Sequence, residues 1–107
     1  RRIEHRLAGG DVNPYLFLAA VLGSALIGIE EGNAPPAPIT GNAYDQDLPQ
    51  VPSNWKDAIN GFENSAFAHK IFDAQLIDNF VRTKRQEMRA FADVSPEEQI
   101  SHYLDLV

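Results

Sequence analysis

A chain of 107 residues is one domain at most, and with 44% apolar residues it can pack a core rather than stay disordered. Nine basic residues against fifteen acidic ones leave a net charge of −6, which argues against nucleic acid as a partner, because phosphate binding needs a basic surface. The absence of cysteine removes disulfide scaffolds, thiolate zinc sites and cysteine nucleophiles, and it fits a reducing cytoplasm.

The sequence opens on Arg1-Arg2 rather than methionine and reads as a piece cut from a longer protein. Arg1 to Leu7 alternates with the period of a strand: Ile3, His5 and Leu7 fall on one face, Arg2, Glu4 and Arg6 on the other. Gly9-Gly10-Asp11 breaks it. Asn13-Pro14 then starts a helix, since Asn13 can cap free amides and proline needs no amide bond at the first helical position. The helix over residues 14–29 is apolar on nearly every side and is expected to be buried on nearly every side. Gly23-Ser24 interrupts it and Glu30-Glu31 closes it, which argues against a membrane span.

Residues 30–53 form a long loop around Ala34-Pro35-Pro36-Ala37-Pro38. So long a loop is uncommon in a compact domain unless it lies on a larger body. Residues 54–107 read as a helical subdomain. Helical spacing predicts Trp55 to Phe62, a helical turn within Ser65 to Phe72, and Ala74 to Phe91 capped by Asp73. A final helix follows the capping box Ser95-Pro96-Glu97-Glu98, with Ile100, Tyr103, Leu104 and Val107 as its apolar stripe. The expected fold is mainly α: one N-terminal strand, then four or five helices joined by a long loop.

No phosphate-binding loop, dinucleotide glycine pattern, zinc-binding helix or nucleophile elbow is present. His5, His69 and His102 are too scattered to suggest a metal site. The remaining candidate is Arg2, Glu4 and Arg6, alternate side chains about 6.5–7 Å apart along a strand. Two guanidiniums can grip a phosphate or carboxylate through paired hydrogen bonds, and a carboxylate between them supplies a hard oxygen for a divalent cation. The alternative, which the pattern alone favours, is a solvated face with ordinary surface ion pairs.

Arg1-Arg2-Ile3-Glu4-His5-Arg6, a short Gly/Asp turn, then Asn13-Pro14-Tyr15-Leu16 and an Ala/Leu-rich helix ending Leu26-Ile27-Gly28-Ile29 resembles the glutamine synthetase family. The resemblance is to the C-terminal part of its α+β catalytic domain and covers essentially the whole chain. The turn Leu7-Ala8-Gly9-Gly10-Asp11-Val12-Asn13 leans toward the branch that resembles γ-glutamylpolyamine synthetases. The resemblance implies an ATP-dependent ligase that phosphorylates the γ-carboxylate of glutamate and lets ammonia or an amine displace the phosphate. It implies that Glu4 binds a catalytic Mg²⁺ or Mn²⁺, that Arg6 contacts glutamate and its acyl phosphate as the catalytic and substrate-binding residue, and that Arg2 lies near the nucleotide phosphates. It further implies a cytoplasmic homo-oligomer, commonly dodecameric, with neither nucleic acid nor membrane as partner. Family sites are built from a β-grasp domain of one subunit and an incomplete barrel of its neighbour, so these residues alone are expected to be inactive. Tyr44 lies near a tyrosine that some bacterial members adenylylate, but the run Tyr44-Asp45-Gln46-Asp47-Leu48-Pro49 departs from that context, so an ordinary loop aromatic packed on the body is expected. A non-catalytic structural relative and an unrelated helical interaction module are the alternatives.

Overall fold

The computed structural model describes residues 2–104. Five α-helices follow one another among these residues: α1 (Pro14–Glu30), α2 (Trp55–Glu63), α3 (Ala68–Ile71), α4 (Ala74–Ala90) and α5 (Pro96–Leu104). Most of the starts are fixed by a side chain that satisfies amides the helix cannot. Asn13 Oδ1 accepts from the N–H groups of Tyr15 and Leu16 at 3.0 and 3.1 Å. Asn54 Oδ1 accepts from the Asp57 amide at 2.9 Å, and Asp73 Oδ1 accepts from the Leu76 amide at 2.8 Å. Ser95 and Glu98 cap α5 reciprocally, the Glu98 amide donating to Ser95 Oγ and the Ser95 amide to Glu98 Oε2. At the far end of α1, Gly32 takes the left-handed conformation (φ 64°), and the Asn33 amide reaches back to the Gly28 carbonyl at 2.9 Å.

The core lies between α2 and α4. Ile59, Ala68, Ile77 and Val81 are buried, with Phe62, Phe72 and Met88 packed against them. Arg85, two turns beyond Ile77, closes the rim by donating to both carboxylate oxygens of Glu63 and to Asn60 Oδ1. Helix α5 folds back so that Phe91 meets His102 and Tyr103 at centroid distances of 5.1 and 5.3 Å. The Tyr103 hydroxyl is buried there without a hydrogen-bond partner, and burial, with the Glu87 charge, pushes its pKa up.

Two expectations are corrected. The N-terminal strand is not formed: residues 2–6 belong to no regular element, and no strand occurs among the described residues. A strand needs a neighbour for its backbone amides and carbonyls, and the turn after Leu7 leads directly into a helix rather than a second strand. Helix α1 forms but is not buried, since none of its residues falls in the buried class. Its cover is the short α3, where Ile71 sits so close to Gly23 that an added methyl would lie 2.8 Å from Ile71 Cγ2. Lys70 pairs with Glu31 at 2.5 Å beside this contact. Tyr15, Leu18, Leu22, Leu26 and Ile29 face outward in a stripe, against the preference of apolar side chains for cover. The long loop carries only a 3₁₀ turn at Ala43–Asp45. Arg1 and Val107 lie outside the described residues, and no helix among those described is long and apolar enough to cross a membrane.

Truncation should separate the two halves of this arrangement. Ile77, only 2% exposed, should lose about 2–4 kcal/mol on Ile77→Ala in urea unfolding of the 107-residue chain, whereas Leu22→Ala on the open face of α1 should change stability by less than about 0.5 kcal/mol. Equal effects would contradict the α2–α4 core. The Lys70 ammonium holds the Glu31 carboxyl below its ordinary 4.5, so the pairing is present above that value and is lost as pH falls through the lower folded value. A carboxyl titration followed by NMR should show Glu31 returning to its ordinary range in Lys70→Met.

Candidate functional site

Without a strand, the alternation of the N-terminal residues still sorts their side chains. Arg6 Nε donates to Glu4 Oε1 at 2.8 Å and Arg6 Nη2 lies 2.6 Å from the same oxygen. Arg2 Nη2 approaches the other oxygen, Oε2, at 3.8 Å. The intervening His5 turns the other way and meets Phe17 of α1 edge-on, ring centroids 5.2 Å apart and planes at 73°. The three sequence-predicted site residues are therefore brought together, with one negative charge between two positive ones.

They are brought together in solvent. The side chains of Arg2, Glu4 and Arg6 are 86%, 52% and 83% exposed. An ion pair so exposed contributes only about 0–1 kcal/mol, because water screens it and long side chains lose rotamer freedom in making it. Low cost of rearrangement has a chemical consequence. An anion that offers more acceptor oxygens than Glu4 can draw either guanidinium away without breaking anything the helices need.

A divalent cation is a different matter. Glu4 is a hard oxygen donor of the type Mg²⁺ and Mn²⁺ prefer. It is one donor only: no three His, Asp or Glu side chains cluster to hold a metal among the described residues. The chemistry of Glu4 thus fits one position in a shared coordination shell. His69 and His102 do not join it, since a His69 ring nitrogen lies 3.1 Å from the Glu63 carbonyl oxygen and His102 stacks on Phe91.

The sequence reading missed an open groove of about 1390 Å³ between the Gly9–Pro14 turn and α4. Trp55, Leu76, Phe80, Asp11 and Lys84 help line it, whereas Arg2, Glu4 and Arg6 do not. Its walls come from segments far apart in sequence, so no local pattern announces it. Tyr44 also differs from expectation. It stands 98% exposed on its 3₁₀ turn, so it does not pack on the body as a loop aromatic should.

The chain matches the family model described as glutamine synthetase, catalytic domain, over residues 1–103. It is 40% identical over 90 residues to a γ-glutamylethanolamide synthetase of Streptomyces coelicolor, covering 84% of this chain and 20% of that protein. It is 33% identical over 109 residues to a glutamate–isopropylamine ligase of a Pseudomonas species, covering 99% and 24% respectively. A γ-glutamylputrescine synthetase of Escherichia coli is 26% identical over 103 residues, with 96% and 22% covered. The chain thus spans about a fifth to a quarter of the length of these relatives. No solved structure matches it.

Proposed function

The chain belongs to the glutamine synthetase family, and from that premise we propose that it is part of an ATP-dependent ligase joining glutamate to ammonia or an amine, with Arg2, Glu4 and Arg6 as its contribution to the site. Family membership removes the reading as an unrelated helical module. The observation that carries the proposal is the convergence of these three side chains within a match that runs over residues 1–103. The relatives named for ethanolamide, isopropylamine and putrescine support an amine over ammonia as the second substrate.

The reaction makes specific demands on such a group. A γ-carboxylate oxygen of glutamate bonds to the terminal phosphorus of ATP as the bond to ADP breaks, giving an acyl phosphate. The amine nitrogen then bonds to the acyl carbon, phosphate leaves, and the nitrogen gives up a proton. Both steps crowd negative oxygens together, and fixed positive charge is what lowers their cost. Arg6 binds the glutamate end and steadies the acyl phosphate oxygens with its paired donors. Arg2 meets the nucleotide phosphates. Glu4 holds both guanidiniums until substrate arrives and offers one oxygen to the cation. Mg²⁺ or Mn²⁺, when bound there, supplies charge to the phosphate oxygens. The proposed enzyme is a cytoplasmic homo-oligomer, and the 107 residues by themselves are inactive because the donors supporting this reaction are too few.

The test is phosphate release by the full-length enzyme with glutamate, ATP and a panel of ammonia, ethanolamine, isopropylamine and putrescine. At least one amine should support turnover, and Arg6→Gln should lower kcat/KM by roughly 10²–10³-fold, the loss typical of a donor to developing negative charge. No turnover with any of the four points instead to a structural relative without chemistry. The isolated 107 residues should stay at background in the same assay.

A further inference from the structure

We infer that His5 is a positioning residue, whose imidazole seats the Arg2–Glu4–Arg6 group on α1 by packing against Phe17; this rests on the function proposed above. The inference starts from what does not hold the segment. Among the described residues, no backbone hydrogen bond of a turn or loop involves residues 2–8. The ion pairs of Arg2, Glu4 and Arg6 run among themselves and fix nothing to the helices. Ile3 and Leu7, on the same side of the alternation as His5, are 72% and 77% exposed. The His5 ring is the side chain of that alternation seated on a helix, edge-on to Phe17 at 5.2 Å.

Phe17 is a suitable anchor. It lies in the first turn of α1, where Asn13 Oδ1 takes two amides and the Phe17 amide itself donates to the Asn13 carbonyl at 3.0 Å. That turn is capped and hydrogen-bonded, so a ring attached to it inherits a fixed position. His5 is bonded on either side to Glu4 and Arg6, so seating its ring on Phe17 restrains the backbone from which both neighbouring side chains leave. An edge-to-face contact is directional, because the positive rim of one ring meets the negative face of the other, so it constrains tilt as well as distance. Catalytic groups misplaced by about 1 Å can lose as much as 10²-fold in rate. The contact needs an aromatic ring and makes no use of a proton.

That last point decides the experiment. In the full-length enzyme, His5→Ala should lower kcat/KM for glutamate roughly 10-fold, chiefly through KM for glutamate, with KM for the amine little changed. His5→Phe should restore activity to within about 3-fold of the parent with the same pH profile, since phenylalanine keeps the edge-to-face packing. Phe17→Leu, which keeps an apolar side chain on α1, should reproduce the His5→Ala defect, and combining the two should add little. A His5→Phe variant as defective as His5→Ala, or one that loses a limb of the pH profile, would overturn the inference in favour of proton transfer. A fully active His5→Ala would overturn it outright, as would a uniform loss across all substrates that tracks a lowered Tm. Should His5→Ala fail to fold, His5→Phe and Phe17→Leu carry the test alone. Arg6→Gln run in parallel separates the two levels: an unaffected Arg6→Gln refutes the site itself, whereas a dead Arg6→Gln beside a normal His5→Ala refutes only the role of His5.

Discussion

Ile77 and Val81 lie one turn apart on α4, and the ordered half of this chain is arranged to keep them dry. Both are 2% exposed. Ile59 reaches them from α2 and Ala68 from α3, with the rings of Phe62 and Phe72 at the edge. One further turn along the same face stands Arg85, whose guanidinium takes both oxygens of Glu63 and the amide oxygen of Asn60. The seam thus passes from fully apolar to charged and hydrogen-bonded without leaving a buried charge unpaired. Helix α1 joins this body chiefly through α3. The missing side chain of Gly23 admits Ile71, and the adjacent Glu31–Lys70 pair ties the end of α1 to the same short helix.

The chain handles arginine–glutamate contacts in two ways, one closed and one open. Arg85 and Glu63 form a closed arrangement: two donors on two oxygens, a third bond to Asn60, and both side chains half-buried. Both carboxylate oxygens are engaged, and the guanidinium is held at three points. Around Glu4 the arrangement is open. Arg6 places two nitrogens on one oxygen, Arg2 stands 3.8 Å from the other, and cations outnumber the anion. Each guanidinium carries five N–H donors, so most of them still face water. Such a group is poor glue, and its donors are free to exchange partners.

What could be read from the sequence divides along the same line as local and collective physics. Asn13-Pro14, Asp73 and Ser95 with Glu98 each satisfy amides within three residues, and all open helices where their spacing indicated. The helical spacing of Leu76, Ile77, Phe80, Val81, Met88 and Phe91 likewise indicated α4, and Ile77, Val81 and Met88 of that set meet the core. The strand over residues 1–7 did not follow from its period, because alternation describes side chains whereas a strand is made by a second backbone. Burial of α1 failed for a similar reason: apolar residues such as Leu22 and Leu26 state a preference for cover, and only α3 is at hand. The grouping of Arg2, Glu4 and Arg6 was legible from their alternation along the chain. Their attachment to α1 through His5 was not, because it depends on a contact between rings twelve positions apart.

The exposure of the Arg2–Glu4–Arg6 group bears on how its chemistry can be expressed. The attraction between unit charges at 4 Å is about 1 kcal/mol in bulk water and about 4 kcal/mol at the effective dielectric near a protein surface. Guanidiniums 86% and 83% exposed therefore give an oxyanion little that water does not already give it. The donors gain their value when water is excluded around them, and the described residues hold no wall that does so, since the main groove is lined by other side chains. The exposure that leaves the group free to exchange partners thus also leaves its charges screened. Charge is encoded within a few positions, whereas a low dielectric is a property of everything packed around them. A chain spanning a fifth to a quarter of its relatives' length carries the first and not the second.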